Sequence, residues 1–384
     1  MLDTIKLTLD KTMIAFIDKD KFQKETQNAS RGYFTLVQNP TKTELQNGIY
    51  KPRLTLTNRF NTSGQRGLTL AIEFSAPKLL YGNNFDELTD SDFNAVIDKL
   101  EEVLKTMGVR VFHQLLLVAP VSAIHYSKNI PLTDGTTPHY LISKIKEANI
   151  SLALDVNQTD YRNDGHSYKW HANSYEVAFY DKIKDLEATR KSDKRAIEKD
   201  NLLQLRLFED LRKKRLEVFR MEVRLNSRQK LKQLLPILGI ETSLTFQNLF
   251  SASISQKVLL HYVAELEKQR PKILDYQTTT AKALLADIII NNPKLGTLKT
   301  LQLFGLKQAI DTITLRELRA MLGNYKDRSW YRLLSEAKAI KLPSLKSPLG
   351  IIQENLTQFE PLRLVAFQDG MVNNERNHIK QYEN

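Results

Sequence analysis

The chain has 384 residues, no cysteine and a formal net charge of +12. The lack of cysteine excludes disulfides and thiolate metal sites and favours a reducing compartment. Together with a strand-like start and no apolar run of membrane-spanning length, this predicts a cytoplasmic protein without membrane association. The positive charge favours a polyanionic partner, and nucleic acid is the commonest one.

The first half of the chain alternates between strand-like and turn-like stretches, as in an antiparallel sheet. Strands are predicted over 4–10, 12–18, 32–39, 50–60, 68–77 and 110–130. Helices are predicted over 89–108, which ends on a glycine, and over 137–150, which has a proline near its start. Residues 1–230 are therefore predicted to form an α+β domain, an antiparallel sheet with flanking helices.

The stretch 166–185, HSYKWHANSYEVAFYDKIKD, combines strand alternation with unusually many reactive side chains. Tyr175 shares one face with two apolar residues, and Tyr180 lies on the other face. A basic segment follows, since residues 182–230 contain 16 Lys or Arg against 9 Asp or Glu. A surplus of this kind is typical of a surface that contacts a nucleic-acid backbone.

The second half is predicted to be mostly helical. A charged helix over 184–217 and a strand over 218–226 precede a helical region over 231–295. A small unit over 296–345 contains two short helices separated by NYKD, which resembles a helix-turn-helix in length and spacing. The remainder, 346–384, is predicted to be a tail with a polar end.

No phosphate-binding glycine loop, dinucleotide fingerprint, nucleophile elbow or HExxH motif is present, which argues against ATP use. The remaining candidates for chemistry are polar residues on predicted strands of one sheet or beside them. They are Glu73, His125, His166, His171, Tyr180, Lys182 and Glu222.

Two of these candidates have alternative interpretations that the residues alone leave open. Glu222 lies between Arg220 and Arg224 on one strand face, which suits either a simple ion pair or a carboxylate that holds Mg²⁺ or Mn²⁺ beside phosphates. Tyr180 with Lys182 suits either a residue at the edge of the core or an activated phenol nucleophile. Trp170 and Tyr175 could stack on bases or fill a core.

Four blocks in this order, EFSAPKLLYG, VSAIHYSK, SYEVAFYDKIKDLE and FRMEVRLNSRQKLKQL, resemble the gene II/X family of replication initiators of filamentous phages and some plasmids. The resemblance covers about residues 1–240. It implies a relative of the HUH endonucleases that nicks one DNA strand, joins a tyrosine to the 5′ phosphate and starts rolling-circle replication, with Mg²⁺ or Mn²⁺ as cofactor.

The resemblance also implies roles for individual residues. Tyr180 would be the nucleophile and Lys182 its assisting cation, with Tyr175 and Tyr168 as rival nucleophiles. The implied metal ligands are His125 and Glu222, with His171 or Glu73 as a third, although the His-x-His pair of HUH enzymes is absent from this chain. The residues expected to contact DNA are Lys78, Arg220, Arg224, Trp170, Tyr175, Lys184 and Arg328.

The sequence thus predicts a metal-dependent DNA nicking and joining enzyme that acts on single-stranded or supercoiled origin DNA, with host replication proteins as further partners. A DNA-binding protein without cleavage, such as a repressor or an inactive initiator, accounts equally well for the charge and the helix-turn-helix-like unit. An RNA-binding module is favoured only by the aromatic residues.

Overall fold

A computed structural model describes most of the chain. The described residues are 1–28, 33–60, 66–132, 135–148, 159–162, 164–189, 197, 199–205, 217–269, 280–313, 315–322, 327–342 and 348–364. The polar end of the predicted tail and large parts of the predicted charged helix over 184–217 lie outside these residues.

Twelve strands are found among the described residues. They are β1 Leu2–Asp10, β2 Phe16–Ile17, β3 Gln23–Asn28, β4 Tyr33–Gln38, β5 Arg53–Phe60, β6 Arg66–Ser75, β7 Val109–Arg110, β8 Val121–Pro131, β9 Thr159–Arg162, β10 Ser167–Ala172, β11 Tyr175–Asp181 and β12 Val218–Leu225. Ten of them form one sheet in the order β3-β4-β5-β6-β1-β8-β12-β11-β10-β9, and β2 pairs with β7 separately. Every pairing in the large sheet is antiparallel.

Fourteen α-helices are described. They are α1 Lys42–Gln46, α2 Ala76–Tyr81, α3 Phe93–Thr106, α4 His113–Leu117, α5 Pro138–Ala148, α6 Lys182–Thr189, α7 Arg228–Ile237, α8 Phe246–Leu249, α9 Ala252–Gln269, α10 Ala281–Asn291, α11 Thr297–Thr312, α12 Leu315–Met321, α13 Asp327–Ala339 and α14 Pro348–Gln358. The predicted α+β class, with an antiparallel sheet and a helical C-terminal region, is confirmed.

Alternation along the central strands separates an apolar face from a polar face. In β12, Phe219, Met221 and Val223 are fully buried in the main core. The residues between them point to the opposite face and carry the charges of this strand. The apolar face packs against helices α3, α5, α7, α9 and α14, whose buried leucines, isoleucines and valines belong to the same core.

Two predicted strands are wrong in part. The apolar run His113–Leu117, which was included in the strand over 110–130, forms helix α4. A short apolar run does not distinguish a strand from a buried helical turn, because both bury every second or third residue. The strand predicted over 12–18 is reduced to Phe16–Ile17, and Lys11–Met13 forms a 3₁₀ turn capped by the Asp10 side chain.

The C-terminal helices fall into two packing groups. Helices α7 and α9 share the main core with the sheet, and α14 returns to it through Leu349, Ile352 and Leu356. Helices α10–α13 instead form two small apolar clusters of their own, centred on Leu303 and Trp330. The predicted boundaries at 230, 295 and 345 follow changes in the helical pattern of the sequence. In the structure, the residues of 228–269 and 348–359 pack with the sheet in one core.

Within the described part of the chain, no helix combines the length and the apolar character that crossing a membrane requires.

Candidate active site

The polar face of three central strands brings distant parts of the sequence together. In the register of the sheet, Arg224 of β12 lies opposite His125 of β8, and Arg220 lies opposite Tyr180 of β11. Since alternate residues of a strand share one face, Glu222 lies on the same face as both arginines. The strand pairing alone therefore gathers the predicted nucleophile and the predicted ligands His125 and Glu222.

Tyr180 and His125 both contact the carboxylate of Glu222. The Tyr180 hydroxyl donates a hydrogen bond to Glu222 Oε2 at 2.9 Å. His125 Nδ1 lies 3.5 Å from Glu222 Oε1, and Arg224 Nε donates to that same oxygen at 2.8 Å. Glu222 thus holds the phenol in a fixed orientation on one side and an imidazole on the other.

The charges around this carboxylate determine how each group behaves. Burial alone would raise the pKa of Glu222, but Arg224, His125 and Arg220 outweigh burial and hold that pKa well below its ordinary range. Burial raises the pKa of Tyr180 well above its ordinary range, although the positive charge of Arg220 opposes this. Glu222 is therefore a carboxylate at neutral pH and Tyr180 is a neutral phenol.

Arg220 is a buried connector beneath the site. Its guanidinium donates to the Asn84 carbonyl and to Asn129 Oδ1, each at 2.9 Å, and lies 3.0 Å from Asp3 Oδ2. Its side chain is only 2% exposed, so it is buried among protein groups. This placement does not fit the predicted direct contact with DNA, because a phosphate cannot reach a guanidinium that is enclosed in this way.

A cavity of about 180 Å³ opens beside Tyr180 on the polar face. Its walls are formed by residues of β1, β5, β6, β8, β11 and β12, of helices α2 and α6, and of the segment 199–201, and they carry charges of both signs. The charged lining residues are Asp3, Arg53, Glu73, Lys78, Lys182, Asp185, Lys199, Asp200, Glu222 and Arg224. Tyr180, His125, Glu73, Lys78 and Lys182, which the sequence singled out, all line this one cavity.

The two predicted lysines that line the cavity, Lys182 and Lys78, are buried. Lys182 is the first residue of α6, so it does not continue the strand face that carries Tyr180. Its Nζ donates to Asn84 Oδ1 at 2.6 Å and lies 5.9 Å from the centre of the Tyr180 ring. Burial lowers the pKa of Lys182 well below its ordinary range, and burial lowers the pKa of Lys78 as well.

Only part of the ligand set predicted for a divalent cation lies together in the structure. His125 and Glu222 are adjacent, but Glu73 pairs with Lys6 at 3.6 Å, and His171 lies opposite Glu176 two strands away from Glu222. Both oxygens of Glu222 already accept hydrogen bonds from Arg224 and Tyr180. No group of three possible ligands occurs among the residues that the structure describes. The arrangement therefore does not fit a metal ion as it stands.

Other predicted residues lie outside the cavity. Trp170 is 4% exposed and packs 5.5 Å from Phe179 in the core, so it has no open face for a base. Tyr175, on the apolar face, stacks on Tyr262 at 5.5 Å, with Lys230 over its ring. Tyr168 is buried as well, which leaves Tyr180 as the tyrosine of this stretch at the polar cavity.

The remaining predicted residues are placed at other edges of the sheet and on the surface. His166 Nδ1 lies 3.3 Å from Asp181 Oδ2 at the start of α6. Lys184 is exposed and pairs with Glu187 at 2.7 Å, and Arg328 is exposed on α13. The last two are accessible to a large partner.

Several residues of the site were missed by the sequence reasoning. Asp3 reaches the polar face because an irregularity in the β1–β8 pairing between Leu2 and Ile5 shifts the alternation, which a sequence pattern does not show. Arg53 stands opposite Glu73 in the β5–β6 pairing, and strict alternation along 50–60 could have found it. Asn84, Asp185 and Asp200 come from loops and a helix, to which the alternation of a strand does not apply.

Comparison of the chain with models of protein families, with curated proteins and with solved structures gave no match in any of the three.

Proposed function

We propose that this protein is a DNA nicking and joining enzyme in which Tyr180 becomes linked to the 5′ phosphate of the cut strand. The observation that carries the proposal is the hydrogen bond of 2.9 Å from the Tyr180 hydroxyl to Glu222, beside a cavity whose walls carry both cationic and acidic side chains. A phenol that a carboxylate orients, with cations such as Arg53 and Arg224 in the same cavity, suits attack on a phosphodiester.

In the proposed reaction the Tyr180 oxygen attacks the phosphorus of one phosphodiester. A bond forms between that oxygen and the phosphorus, the bond from phosphorus to the 3′ oxygen breaks, and the phenolic proton is lost as the 3′ oxygen gains one. The reverse reaction rejoins the strand, so the energy of the broken bond is conserved and no nucleotide triphosphate is needed.

The charges of the site assign different roles to its residues. Glu222 orients the phenol, but its lowered pKa makes it a weak base. Arg220 acts in the opposite sense to burial on the pKa of Tyr180, so its positive charge favours the phenolate that forms during attack. Arg220 is therefore a positioning and charge-stabilising residue beneath the nucleophile.

We expect the reaction to require Mg²⁺ or Mn²⁺, and this expectation rests on the resemblance to the gene II/X family. No step of the reaction is assigned to a metal ion, since only His125 and Glu222 of the expected ligands lie together. Parallel reactions with Mg²⁺, with Mn²⁺ and with a chelator test this expectation directly.

The proposal is tested by incubating the protein with supercoiled plasmids that carry the native DNA around its coding sequence. We expect conversion to open circles and a protein–DNA complex that survives detergent. Tyr180→Phe should remove both products, because the nucleophilic oxygen is lost.

Tyr175→Phe is the matched control, since it removes the same atom from the same strand on its apolar face. It should nick at a rate within a few-fold of the natural protein. Equal nicking by Tyr180→Phe and the natural protein would contradict the proposal.

A DNA-binding protein without cleavage is the second candidate. The observation that favours it is the separate packing of helices α10–α13, with Arg328 exposed on α13. In that case the protein shifts the plasmid in a gel, with an affinity that falls steeply with salt, and leaves it supercoiled with every divalent metal tested.

A further inference from the structure

We propose that residues 199–205 form a gate over Tyr180, in which the Asp200 carboxylate occupies the place of a phosphate of single-stranded DNA. The inference rests on the proposed function in placing Tyr180 at the reacting phosphate. The new elements are a binding subsite for a phosphodiester, formed by Arg53 and Lys78, and a gate that moves away from this subsite when DNA binds.

The gate is held by the two cations of this subsite. Arg53 donates to Asp200 Oδ1 at 2.6 Å and to the Ile197 carbonyl at 2.7 Å. Lys78 donates to the Lys199 carbonyl at 2.5 Å and to Asn201 Oδ1 at 3.3 Å. Asp200 therefore gives Arg53 an anionic partner of the kind that a phosphate oxygen also supplies.

The rest of the gate is held by both polar and apolar contacts. Gln204 Oε1 accepts from the backbone N–H of Asn84 at 3.2 Å, and Lys199 Nζ pairs with Asp185 at 2.7 Å. Its buried apolar residue is Leu202, which packs with Leu45 of α1 in a small cluster, and Leu203 and Leu205 are partly buried beside it. Polar contacts can be exchanged for contacts with a charged ligand at small net cost, and the apolar contacts of the gate form only a small interface.

The gate narrows the cavity beside Tyr180. The space beside the tyrosine is about 180 Å³. Pockets that enclose small-molecule ligands measure roughly 300–1,000 Å³, so this space is small for an enclosed nucleotide. The gate contributes Lys199, Asp200 and Asn201 to the cavity wall, and its departure would enlarge the cavity on the side of Arg53 and Lys78.

Asp200 is held in the gate as a buried anion. Its φ is 52°, in the left-handed region that aspartate and asparagine adopt more readily than other residues except glycine. The residue is 8% exposed, and burial raises the pKa of its carboxyl group despite the neighbouring cations Lys78 and Arg53. A phosphodiester, which stays ionised at any pH of interest, would replace an anion that burial disfavours.

The test measures the binding of a 5′-labelled single-stranded oligonucleotide by fluorescence anisotropy, with every variant made in the full chain carrying Tyr180→Phe to prevent cleavage. Asp200→Asn is the informative variant, because asparagine tolerates the left-handed backbone and removes only the charge. Asp98→Asn is the matched control, since it makes the same charge change at an exposed position that pairs with His113.

We expect Asp200→Asn to bind the oligonucleotide about tenfold more tightly than the control. Leu202→Ala, which loosens the apolar contacts of the gate without changing charge, should also bind more tightly. Affinity equal to or weaker than that of the control in both variants overturns the inference.

The nicking assay separates this inference from the proposed function. Nicking by the natural protein with unchanged oligonucleotide affinity in both gate variants overturns the gate alone. Tighter binding in the gate variants without nicking under any condition supports the gate and overturns the proposed enzyme. Failure of every variant to bind the oligonucleotide overturns the gate as well.

Discussion

At the scale of single residues, the site contains buried charged side chains that stabilise one another as ion pairs. Asp3, Arg220 and Glu222 are each less than a tenth exposed, and each depends on a partner of opposite sign. Removing one charge from such a group leaves its partner buried and unpaired. These residues should therefore affect both stability and activity when they are changed.

Arg220→Met tests the structural part of this view. We expect it to lower the free energy of unfolding in urea by about 3–5 kcal/mol, because Asp3 loses its buried counterion. Arg363→Met removes an arginine that is 34% exposed and pairs with Asp92, and it should cost less than about 1 kcal/mol. Similar losses in the two variants would contradict the assignment of Arg220 as a buried connector.

Asp185 gives the site a defined response to acid. Burial alone would raise the pKa of Asp185, but Lys199 and Lys182 lower it to about 2. Because this pKa is below the unfolded value of about 3.9, the stabilisation is complete above about pH 4 and is lost as the pH falls towards 2.

Asp185→Asn should therefore cost about 2 kcal/mol at pH 7, and its difference from the natural protein should shrink between pH 4 and pH 2. Urea unfolding at a series of pH values measures this difference. A difference that stays constant down to pH 2 would show that the charge of Asp185 is not what stabilises the fold.

At the scale of elements, the strands are what the sequence predicts best. Alternation along β11 and β12 correctly separates Phe179 and Met221 from Tyr180 and Glu222. Alternation assigns faces, but it does not assign neighbours, because strand order depends on contacts between distant segments. The meeting of His125, Glu222 and Tyr180 therefore remained a hypothesis until the order β8-β12-β11 was known.

Loops and bulges explain what the sequence did not predict. Asp200 directly precedes a short 3₁₀ helix over Asn201–Gln204, and the position of Asp3 depends on an irregular strand pairing. The sequence did not predict the burial of Trp170, because an aromatic residue on a strand has the same sequence pattern in a core and on a binding surface.

Gly108, in the loop that follows helix α3, gives a testable prediction about backbone geometry. Its φ is +78°, and an added Cβ would lie 2.9 Å from both Asp18 Cβ and Lys21 Cδ. Gly108→Ala should therefore cost more than about 2 kcal/mol, from the left-handed backbone and the collision together.

Gly82→Ala is the control for the backbone alone, because Gly82 has a φ of +72° with no atom near the added Cβ. It should cost about 1 kcal/mol. Thermal or urea unfolding measures both variants, and equal costs would show that the contact with Asp18 and Lys21 is relieved by a small shift.

At the scale of the whole molecule, the chain leaves the main core after α9 and returns to it at α14. No residue of 280–342 belongs to the main core in the described chain, and this segment has its own clusters. Composition alone could not show the return, because helix α14 lies in what was predicted to be a tail.

Replacing residues 280–342 by a short Gly/Ser linker should leave the main body folded. We expect its thermal midpoint to stay within a few degrees, because the packing between α9 and α14 is retained. We also expect retained cleavage of single-stranded oligonucleotides and weaker binding to duplex origin DNA. Aggregation of the shortened chain would show that α10–α13 stabilise the sheet.

The most direct test of the central claim is to map the residue that carries DNA in a trapped covalent complex. Trypsin cleavage after Lys169 and Lys182 releases WHANSYEVAFYDK, a peptide that contains both Tyr175 and Tyr180. Fragmentation of the nucleotide-bearing peptide in a mass spectrometer should place the added phosphate on Tyr180. A phosphate on Tyr175 or on any residue outside this peptide would contradict the account.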